Sequence, residues 1–600
     1  MQQIRLDNFR VFGTPAAFDL APVTVLTGKN NSGKSSLIKA FLVLADYLEQ
    51  DDQTVLRLDG PRANRHRINN WQSLLNWQSE TQVFRVGYSV NGIHYSCEFA
   101  KDPDSKVKLA YLRRFHMEVP DIDQLTLFSN DGGQTYQLSV SQRLLDYVTG
   151  EALAREFIRM SSPAVNARRQ ADTEYELASL EYAEANTDEQ KRLLMEHQQS
   201  LAKYLEQLRN EAISNDQSTG INYQISISSR YLGSTPTLAV LIEGALDKHA
   251  FDSGKPVEEV PYTAEQVANQ FGVSPDENGE YDQEEMMNAW SMHRQVEAHE
   301  EEFRRQEITG KEYRTARQFR RELENSFPAV EHLGANRTHQ ARLYLTSSGQ
   351  GAEINVVADR FQRLGSVPDD AAQLFLKRWM PRFDIGESVE ITNIDNAAVR
   401  IEVVRGDQRI NLADLGFGAG QLLTMLLHIA TILQQRVAGT FDERWQTRIV
   451  LIEEPEANLH PHFQSLLAEL FAETARKHNL RFVIETHSEY LIRNAQVLVK
   501  NAGGNHKLLQ NNAVAARIGS TEGQVITPIN LPADFKQRNP EKNKKKQGLF
   551  KVYYLDQPSE ANGQQYGHEM RLRKDGIFMD EFGEGFLMDE SAKLAFKLFE

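Results

Sequence analysis

Residues 28 to 35 read Gly-Lys-Asn-Asn-Ser-Gly-Lys-Ser, a complete G-x-x-x-x-G-K-S phosphate loop. The apolar run 23–26 precedes it and the apolar stretch 37–44 follows it, which gives the strand and helix context that the motif requires. We expect the ammonium group of Lys34 to reach the β- and γ-phosphates and the hydroxyl of Ser35 to bind Mg²⁺. The pattern predicts a site for ATP or GTP whose phosphate-binding residues are Gly28, Asn30, Asn31, Ser32, Gly33, Lys34, Ser35 and Ser36.

A second short apolar strand, 449–452, ends in paired carboxylates at Glu453 and Glu454, the form that a Walker B element takes. An uncompensated buried charge is costly, so two acids at the end of a buried strand indicate a cation or a proton donor there. We assign Glu453 to Mg²⁺ and Glu454 to the attacking water, which it would orient or deprotonate. The alternative is that both acids cap the turn after the strand.

Two further segments complete the predicted site. The apolar strand 482–484 leads to His487, and a histidine at such a strand end would hydrogen-bond the γ-phosphate and sense its loss. A purely structural histidine is the alternative. The glycine-rich turn 412–421 opens the apolar helix 422–433, and its N–H groups would bind a second phosphate. The residues assigned to this second contact are Gly416, Gly418, Gly420 and Gln421.

Together these elements resemble the ATP-binding-cassette (ABC) type of ATPase head found in SMC, RecF and overcoming-lysogenisation-defect (OLD) proteins. Within that group the chain most resembles AAA-type ATPases with a G-F-G-x-S-Q signature and an E-E-P-E-x-x-L-H-P Walker B, since residues 453–461 reproduce the second motif in full. Residues 334–344 and 574–587 match further segments of that group in part. One departure is Gly420, which replaces the signature serine and removes a hydroxyl expected to meet the γ-phosphate.

The resemblance implies an α/β fold: an ABC-type P-loop ATPase head with a large helical insertion and a small C-terminal domain. It also implies ATP and Mg²⁺ as cofactors, and a homodimer or higher assembly in which two heads hold ATP between one phosphate loop and the other signature turn. We expect an ATPase lobe with Walker A at 1–150 and a mainly helical insertion at 151–328. A second ATPase lobe is expected at 329–500 and a small C-terminal domain at 501–600.

Hydrophobic periodicity organises the rest of the chain. Phe18 to Leu26 is predicted to be one strand that runs into the loop, and short alternating stretches from 84 to 140 predict an antiparallel sheet beside it. The stretches 150–215 and 282–325 predict helices, which we interpret as helical hairpins in preference to a coiled-coil arm. A loop is expected between them at 252–281.

Composition limits the class of protein. The 600 residues carry a formal net charge of -16, which argues against a protein that coats nucleic acid with its whole surface. The basic run 538–551 is either a local binding patch or a solvated loop.

The single cysteine, Cys97, excludes an internal disulfide framework and fits a reducing cytosol. We expect Cys97 to be a buried residue of a strand. No export signal is recognisable and the apolar stretch 422–433 is too short to span a bilayer, so we expect a cytoplasmic protein without a membrane segment.

The sequence predicts an ATPase without an effector domain of its own. A TOPRIM nuclease needs a D-x-D cluster for two metal ions, and no D-x-D follows His487, while the pairs at 102–104 and 121–123 fit turns better. Our leading hypothesis is a nucleotide-gated switch or scaffold for a separate nuclease or toxin in bacterial antiviral defence. The alternative is a DNA-binding repair or genome-maintenance ATPase of RecF or SMC type. The long stretch between Lys34 and Gly416 argues against a compact transporter motor.

Overall fold

The computed structural model describes residues 1–58, 66–90, 92–101, 109–141, 222–228, 326–335, 342–345, 371–395, 398–438, 448–510, 548–556 and 566–580, with isolated positions between these segments. The helices predicted at 150–215 and the loop predicted at 252–281 lie outside the described residues. Nearly all of the helical stretch predicted at 282–325 does so too.

The strands of the described residues, numbered in chain order, are β1 (Gln3–Asp7), β2 (Ala16–Asp19), β3 (Val23–Gly28), β4 (Val55–Arg57), β5 (Val83–Val90), β6 (Ile93–Lys101), β7 (Leu109–Val119), β8 (Asp123–Phe128), β9 (Thr135–Ser141), β10 (Asn222–Ser228), β11 (Val330–Leu333), β12 (Tyr344–Leu345), β13 (Ser388–Ile394), β14 (Ala398–Arg405), β15 (Gln408–Asn411), β16 (Arg448–Glu453), β17 (Leu480–Glu485), β18 (Phe550–Leu555) and β19 (Gly567–Glu569). The α-helices are α1 (Lys34–Leu48), α2 (Ala371–Arg382), α3 (Phe417–Ala438), α4 (Pro461–His478), α5 (Glu489–Asn501) and α6 (Asn505–Gln510). The strands form three sheets.

A nine-stranded antiparallel sheet forms one layer, in the order β10-β9-β8-β7-β6-β5-β1-β2, with β4 paired to β7. Buried and exposed residues alternate along β9, as expected for a sheet with one face on a core. The core continues onto α1, where the rings of Tyr47 and Phe99 lie 4.7 Å apart. The predicted antiparallel sheet is confirmed, and Cys97 is buried in it. Because β10 pairs with β9, the region 151–328 also contributes a strand to this sheet.

A six-stranded sheet, in the order β11-β16-β17-β3-β18-β19, carries the predicted site residues. All its neighbouring strands run parallel except β19, which is antiparallel to β18. Leu26 of β3 belongs to the core shared with α1, and Val25 belongs to the core that includes α3 and α4. Both faces of the sheet are therefore covered, as in other parallel sheets. The carboxyl ends of β3, β17 and β16 meet at one edge, which is where such sheets bind ligands.

A smaller antiparallel sheet, β12-β14-β13 with β15 paired to β14, precedes the signature turn. A 3₁₀ turn, Leu412–Asp414, joins β15 to α3. The exposed guanidinium group of Arg342 lies 2.6 Å from Asp414. This ion pair connects the segment before β12 to the 3₁₀ turn that leads into the signature turn.

The prediction of one strand from Phe18 to Leu26 is wrong, because the chain forms two strands there. β2 ends at Asp19 and pairs with β1, whereas β3 begins at Val23 and pairs with β17 and β18. Pro22 lies between them, and proline lacks the N–H that an uninterrupted strand would need. The chain passes at this point from the antiparallel sheet to the parallel one.

The apolar helix predicted at 422–433 is longer than expected, since α3 extends from Phe417 to Ala438. The end of the predicted glycine turn is therefore the first turn of a helix. Within the described part of the chain, Phe417–Gln435 is the one helical segment long and apolar enough to cross a membrane, so the argument that the stretch is too short was wrong. In the fold, 83% of this segment is buried.

The boundary of a separate C-terminal domain at residue 501 is also wrong for the described residues. β18 pairs in parallel with β3 and so belongs to the sheet that carries the phosphate loop. The family resemblance implied the boundary, but matching motifs carry no information about which strands pair. Lys551, at the end of the basic run, makes ion pairs with Asp19 at 3.4 Å and Glu569 at 2.6 Å. Residues 538–547 of that run lie outside the described chain.

Candidate nucleotide-binding site

The phosphate loop joins β3 to α1 at the carboxyl edge of the parallel sheet. Gly28 ends β3 with a φ of 133°, and Gly33 is the N-cap of α1 with a φ of 112°. Glycine adopts both angles without steric cost, and a Cβ on Gly28 would overlap the carbonyl oxygen of Leu555. Asn30 and Asn31 are exposed on the loop, where Asn31 has a φ of 60°. The backbone thus has the left-handed turns of a phosphate-binding loop.

Lys34 is buried at the start of α1, with 4% of its surface exposed. Its Nζ donates hydrogen bonds to the carbonyl oxygens of Gly28 at 2.9 Å and Lys29 at 2.7 Å. Burial lowers the pKa of Lys34, and the charges of Glu485 and Glu454 act to raise it. The ammonium group therefore lies against the loop and in the field of two acids.

The three serine hydroxyls of the loop have different environments. Ser35 is exposed and donates a hydrogen bond of 2.9 Å to Glu485 Oε1. Ser36 is buried and accepts a hydrogen bond of 3.3 Å from Nε of Arg10. Ser32 is 2% exposed, and its Oγ has no hydrogen-bond partner among the described residues. A buried hydroxyl without a protein partner is costly, so Ser32 fits a loop that receives ligand oxygens.

Three glutamates from two neighbouring strands meet beside the loop. Glu453 ends β16 and Glu485 ends β17, and the two residues are partners in the parallel ladder. The N–H of Glu454 donates to the carbonyl oxygen of Glu485 at 2.8 Å, and Glu454 has a φ of 45°. The register of the sheet thus fixes three acids at one edge, with Glu485 on the strand next to β3.

Glu485 is buried at the end of β17, with 6% of its surface exposed. Burial raises its pKa to about 7; the hydrogen bond from Ser35 and the charge of Lys34 oppose this rise, and the charges of Glu453 and Glu454 add to it. The carboxylate is therefore costly to ionise in this position. A bound cation would lower that cost.

Glu453 lies in a more positive environment on the next strand. Its Oε1 accepts a hydrogen bond of 2.9 Å from Nε2 of His332, on β11. Burial acts to raise the pKa of Glu453, but His332, Lys39 and Arg67 outweigh it and lower that pKa. Glu453 is therefore stable as an anion, although the acid in contact with Ser35 is Glu485.

Glu456 connects the Walker B turn to the switch histidine. Its Oε1 accepts a hydrogen bond of 2.7 Å from the backbone N–H of His487. Burial raises the pKa of Glu456, and this N–H acts to lower it. The side chain of His487 is exposed, and its pKa is lowered by partial burial and by the charge of Lys34, against the effect of Glu454. Lys34, Glu454 and His487 are thus close enough to influence one another electrostatically.

The signature turn forms the N-terminus of α3. Gly416 is exposed, and a Cβ there would meet no atom within 4 Å, whereas a Cβ on Gly418 would overlap the carbonyl oxygen of Asn458. Gly420 is buried, and Oε1 of Gln421 accepts a hydrogen bond of 3.1 Å from Asn458. The structure therefore joins Walker A, Walker B and the switch histidine in one cluster, and attaches the signature turn to the Walker B turn through Asn458. Gly416 is the signature glycine that faces outward.

The C-terminal strand β18 closes one side of the phosphate loop. Asp556, the residue after β18, forms an ion pair of 3.2 Å with Lys29. The hydroxyl of Tyr566 accepts hydrogen bonds from the N–H groups of Gly13 at 2.6 Å and Thr14 at 3.3 Å. Segments from both ends of the chain therefore support the loop.

Sequence reasoning missed four residues of the site: Glu485, Glu456, His332 and Asp556. Glu485 carried a usable signal, because 482–484 is a second apolar strand that ends in an acid, as the Walker B strand does. Glu456 was visible only as part of a motif. His332 and Asp556 lie in segments without any motif, and strand order alone brings them to the site.

Residues 1–492 match the AAA ATPase domain family, a range that includes every predicted site residue. The chain belongs to this family. The family implies nucleotide binding, for which Lys34, the unpartnered hydroxyl of Ser32 and the excess of carboxylates provide a chemically suitable site. Mg²⁺ suits oxygen ligands of this kind. The described arrangement can hold phosphate oxygens, attract a divalent cation and accept a proton from water.

The fold also resembles solved SMC head domains, at low similarity. The SMC head domain from Thermotoga maritima has 10% identity and a TM-score of 0.26, over 82% of this chain and 91% of that chain. The Smc head domain with an extended coiled coil from Pyrococcus furiosus, bound to the C-terminal domain of ScpA, has 13% identity and a TM-score of 0.27, over 82% and 91%. The Smc head domain with a coiled coil and joint from Pyrococcus yayanosii has 14% identity and a TM-score of 0.27, over 82% and 93%. No curated protein matches the chain.

Proposed function

We propose that this AAA ATPase domain protein binds ATP with Mg²⁺, hydrolyses the ATP, and acts as a nucleotide-gated switch or scaffold for a separate effector. The observation that carries the proposal is the convergence of Lys34, Glu454 and His487 at the carboxyl edge of one parallel sheet. A loop for phosphate and acids for metal and water are parts that phosphoryl transfer to water uses, and a histidine near both can contact the γ-phosphate.

Each residue has a distinct task in this proposal. Lys34 holds the β- and γ-phosphate oxygens, and the hydroxyl of Ser35 with a strand-end carboxylate holds Mg²⁺, which neutralises phosphate charge when bound. Glu454 orients the attacking water and accepts its proton. His487 hydrogen-bonds the γ-phosphate, and its backbone is held for this purpose by Glu456. Loss of the γ-phosphate would release His487 and so report hydrolysis.

We further propose that two copies associate through their heads, as a homodimer or within a higher assembly. The N-terminus of α3 supports this idea, because helix N-termini bind anions and Gly416 is exposed there, where an added Cβ would have none of the described residues within 4 Å apart from the adjoining backbone. In such an arrangement the signature turn of one copy would meet the nucleotide held by the other. Since Gly420 and Gln421 are turned into their own subunit, backbone groups near Gly416 would make this contact.

Glu454→Gln tests this mechanism. An amide can hydrogen-bond water but cannot take its proton, so we expect turnover to fall by about 100-fold or more while ATP still binds. Heads that hold unhydrolysed ATP should remain associated, which light scattering would detect as an ATP-dependent increase in mass. The matched control is Asp407→Asn, which removes one exposed carboxylate in the turn between β14 and β15. Hydrolysis by Glu454→Gln at the unmodified rate would refute the assigned role.

A second substitution separates assembly from binding. Gly416→Asp, added to Glu454→Gln, places a carboxylate where the second nucleotide is expected and should abolish the increase in mass without changing ATP affinity. Gly418 is a poorer choice, because any side chain there collides with Asn458 inside the subunit. Assembly that ignores ATP in every variant would instead indicate a constitutive scaffold that merely binds nucleotide.

For the biological setting we propose bacterial antiviral defence, with a separately encoded nuclease or toxin as effector and no nuclease activity in this chain. The resemblance of the motifs to OLD, RecF and SMC heads supports this setting. Co-purification with the products of neighbouring genes, compared between Glu454→Gln and Lys34→Ala, would identify an effector that recognises the ATP state. Salt-sensitive binding of DNA by the purified protein would favour the RecF or SMC type of function.

A further inference from the structure

The hydroxyl of Ser35 and the carboxylate of Glu485 are in direct contact, at 2.9 Å. Ser35 is the residue of the phosphate loop that supplies an oxygen to Mg²⁺ in this motif. Glu485 ends β17, which is hydrogen-bonded to β3 along the register Glu485↔Leu26. An acid in direct contact with the hydroxyl of Ser35 therefore comes from the switch-histidine strand.

Glu453, the first Walker B acid, has a different position and a different partner. It ends β16, which is separated from β3 by β17, so its strand lies about 10 Å from β3 at the usual strand spacing. Its Oε1 is already hydrogen-bonded to His332 at 2.9 Å. The two acids are ladder partners, so Glu453 stands directly behind Glu485 as seen from β3.

We propose that Glu485 is the carboxylate that holds Mg²⁺ together with Ser35, and that Glu453 supports the site from the next strand through its contact with His332. This inference rests on the proposed function and refines its metal site. Mg²⁺ typically takes one or two carboxylates, keeps several waters and binds the substrate phosphates.

A simpler role for Glu485 is to anchor the loop by accepting the hydrogen bond of Ser35. Glu485→Gln separates the two roles, because an amide oxygen still accepts that hydrogen bond but is a poor ligand for Mg²⁺. Glu453→Gln is the matched control, since it makes the same chemical change one strand away.

Calorimetric titration with ATP, once with Mg²⁺ and once with EDTA, measures how much Mg²⁺ strengthens binding. In Glu485→Gln we expect this strengthening to fall by about tenfold or more, with affinity in EDTA unchanged or higher. In Glu453→Gln we expect a smaller loss. The proposal is overturned if Glu485→Gln keeps the full Mg²⁺ effect, or if Glu453→Gln alone loses it.

Two further measurements keep the test decisive. Glu485→Asp retains a carboxylate that is one methylene shorter, so it should weaken the Mg²⁺ effect less than Gln does and gives the same comparison if the amide variant does not fold. The second measurement is the electron paramagnetic resonance signal of Mn²⁺ bound with ATP. If Glu485→Asp keeps the full Mg²⁺ effect and gives the same Mn²⁺ signal as the unmodified protein, the assignment is wrong. If the unmodified protein binds no ATP in either buffer, the proposed function itself fails.

Discussion

Glu98 in the antiparallel sheet and Glu485 in the parallel sheet are buried to almost the same degree, with 5% and 6% of their surfaces exposed. Their surroundings differ. Nε of Arg85 donates to Glu98 at 2.6 Å, and Nη1 of Arg113 lies 3.5 Å from its other oxygen. Glu485 accepts from the neutral hydroxyl of Ser35 and is flanked at its strand end by two more acids.

This difference agrees with a structural role for Glu98 and, under the proposed function, with a ligand-binding role for Glu485. β5 and β7, on either side of β6, each supply an arginine to Glu98, so the protein compensates that carboxylate by itself. At the edge of the parallel sheet Glu485 has the neutral hydroxyl of Ser35 as its hydrogen-bond donor, and the charges of Lys34 and Lys39 act on it against those of Glu453 and Glu454. Leaving a buried charge poorly compensated costs several kcal/mol, which supports the proposal that a cation completes this edge.

Lys34→Ala should have the largest effect, because it removes the cation that the edge itself provides. We expect ATP affinity to fall by at least about 3 kcal/mol, or roughly 100-fold, since the lysine is assigned two charge-assisted hydrogen bonds to phosphate. The fold should remain intact, which thermal unfolding would check. Lys574→Ala, a change of one exposed lysine, is the control. Normal ATP affinity in Lys34→Ala would show that the edge of the parallel sheet is not the nucleotide-binding site.

Glu98→Gln and Glu485→Gln should have opposite effects on stability. Glu98→Gln removes the carboxylate that faces Arg113 and Arg85, of which Arg85 keeps an ion pair of 2.9 Å with Asp7, and we expect a loss of about 1–3 kcal/mol in the free energy of unfolding. The arginine side chains are 55% and 41% exposed, which favours the lower end of that range. Glu485→Gln should leave stability unchanged or raise it in metal-free buffer, because it removes a charge that lies beside two acids.

The pH sharpens this prediction. The pKa of Glu485 in the folded protein is about 7, above its ordinary value of 4.5. The stabilisation from this group is therefore fully present below about pH 4.5 and is lost as the pH rises through 7. Glu485→Gln lacks the titration, so its stability relative to the unmodified protein should increase from about pH 5 to about pH 8, as urea unfolding in EDTA would measure. If Glu98→Gln and Glu485→Gln lower the free energy of unfolding equally at every pH, the two glutamates do not have different roles.

The sequence could predict the motifs of the site but not which of their residues touch. The phosphate loop needs only local chain geometry, so residues 28 to 35 were sufficient to place it between β3 and α1. The contact of Ser35 with Glu485 depends on β17 lying between β3 and β16, and strand order is a long-range property that no local pattern encodes. The same reason explains why β18 was taken for part of a separate domain. The early start of α3 was missed because glycine is a weak helix former, and here Gly418 is required by its packing against Asn458.

Glu456 shares features with both the structural carboxylate Glu98 and the proposed ligand-binding carboxylate Glu485. Its substitution by Gln should have the smallest effect on stability and on ATP affinity. It is buried at 9% exposure, and it accepts the N–H of His487 at 2.7 Å. Glu456→Gln keeps an acceptor in place, so we expect stability to change by less than about 0.5 kcal/mol and ATP affinity to stay the same. An amide oxygen holds the N–H less strongly than a carboxylate does, and the looser position of His487 should lower kcat by roughly threefold without changing KM.

Glu456→Ala is the matched variant, because it removes the acceptor altogether and should lower kcat further. The imidazole signals of His487 in proton NMR give a readout that a purely structural role would leave unchanged, since they should broaden in Glu456→Ala and shift only slightly in Glu456→Gln. If Glu456→Gln instead costs as much stability as Glu98→Gln, with kcat and the imidazole signals unaffected, Glu456 is a structural charge. The parallel sheet edge would then contain both kinds of buried carboxylate, and position in the fold alone would not distinguish them.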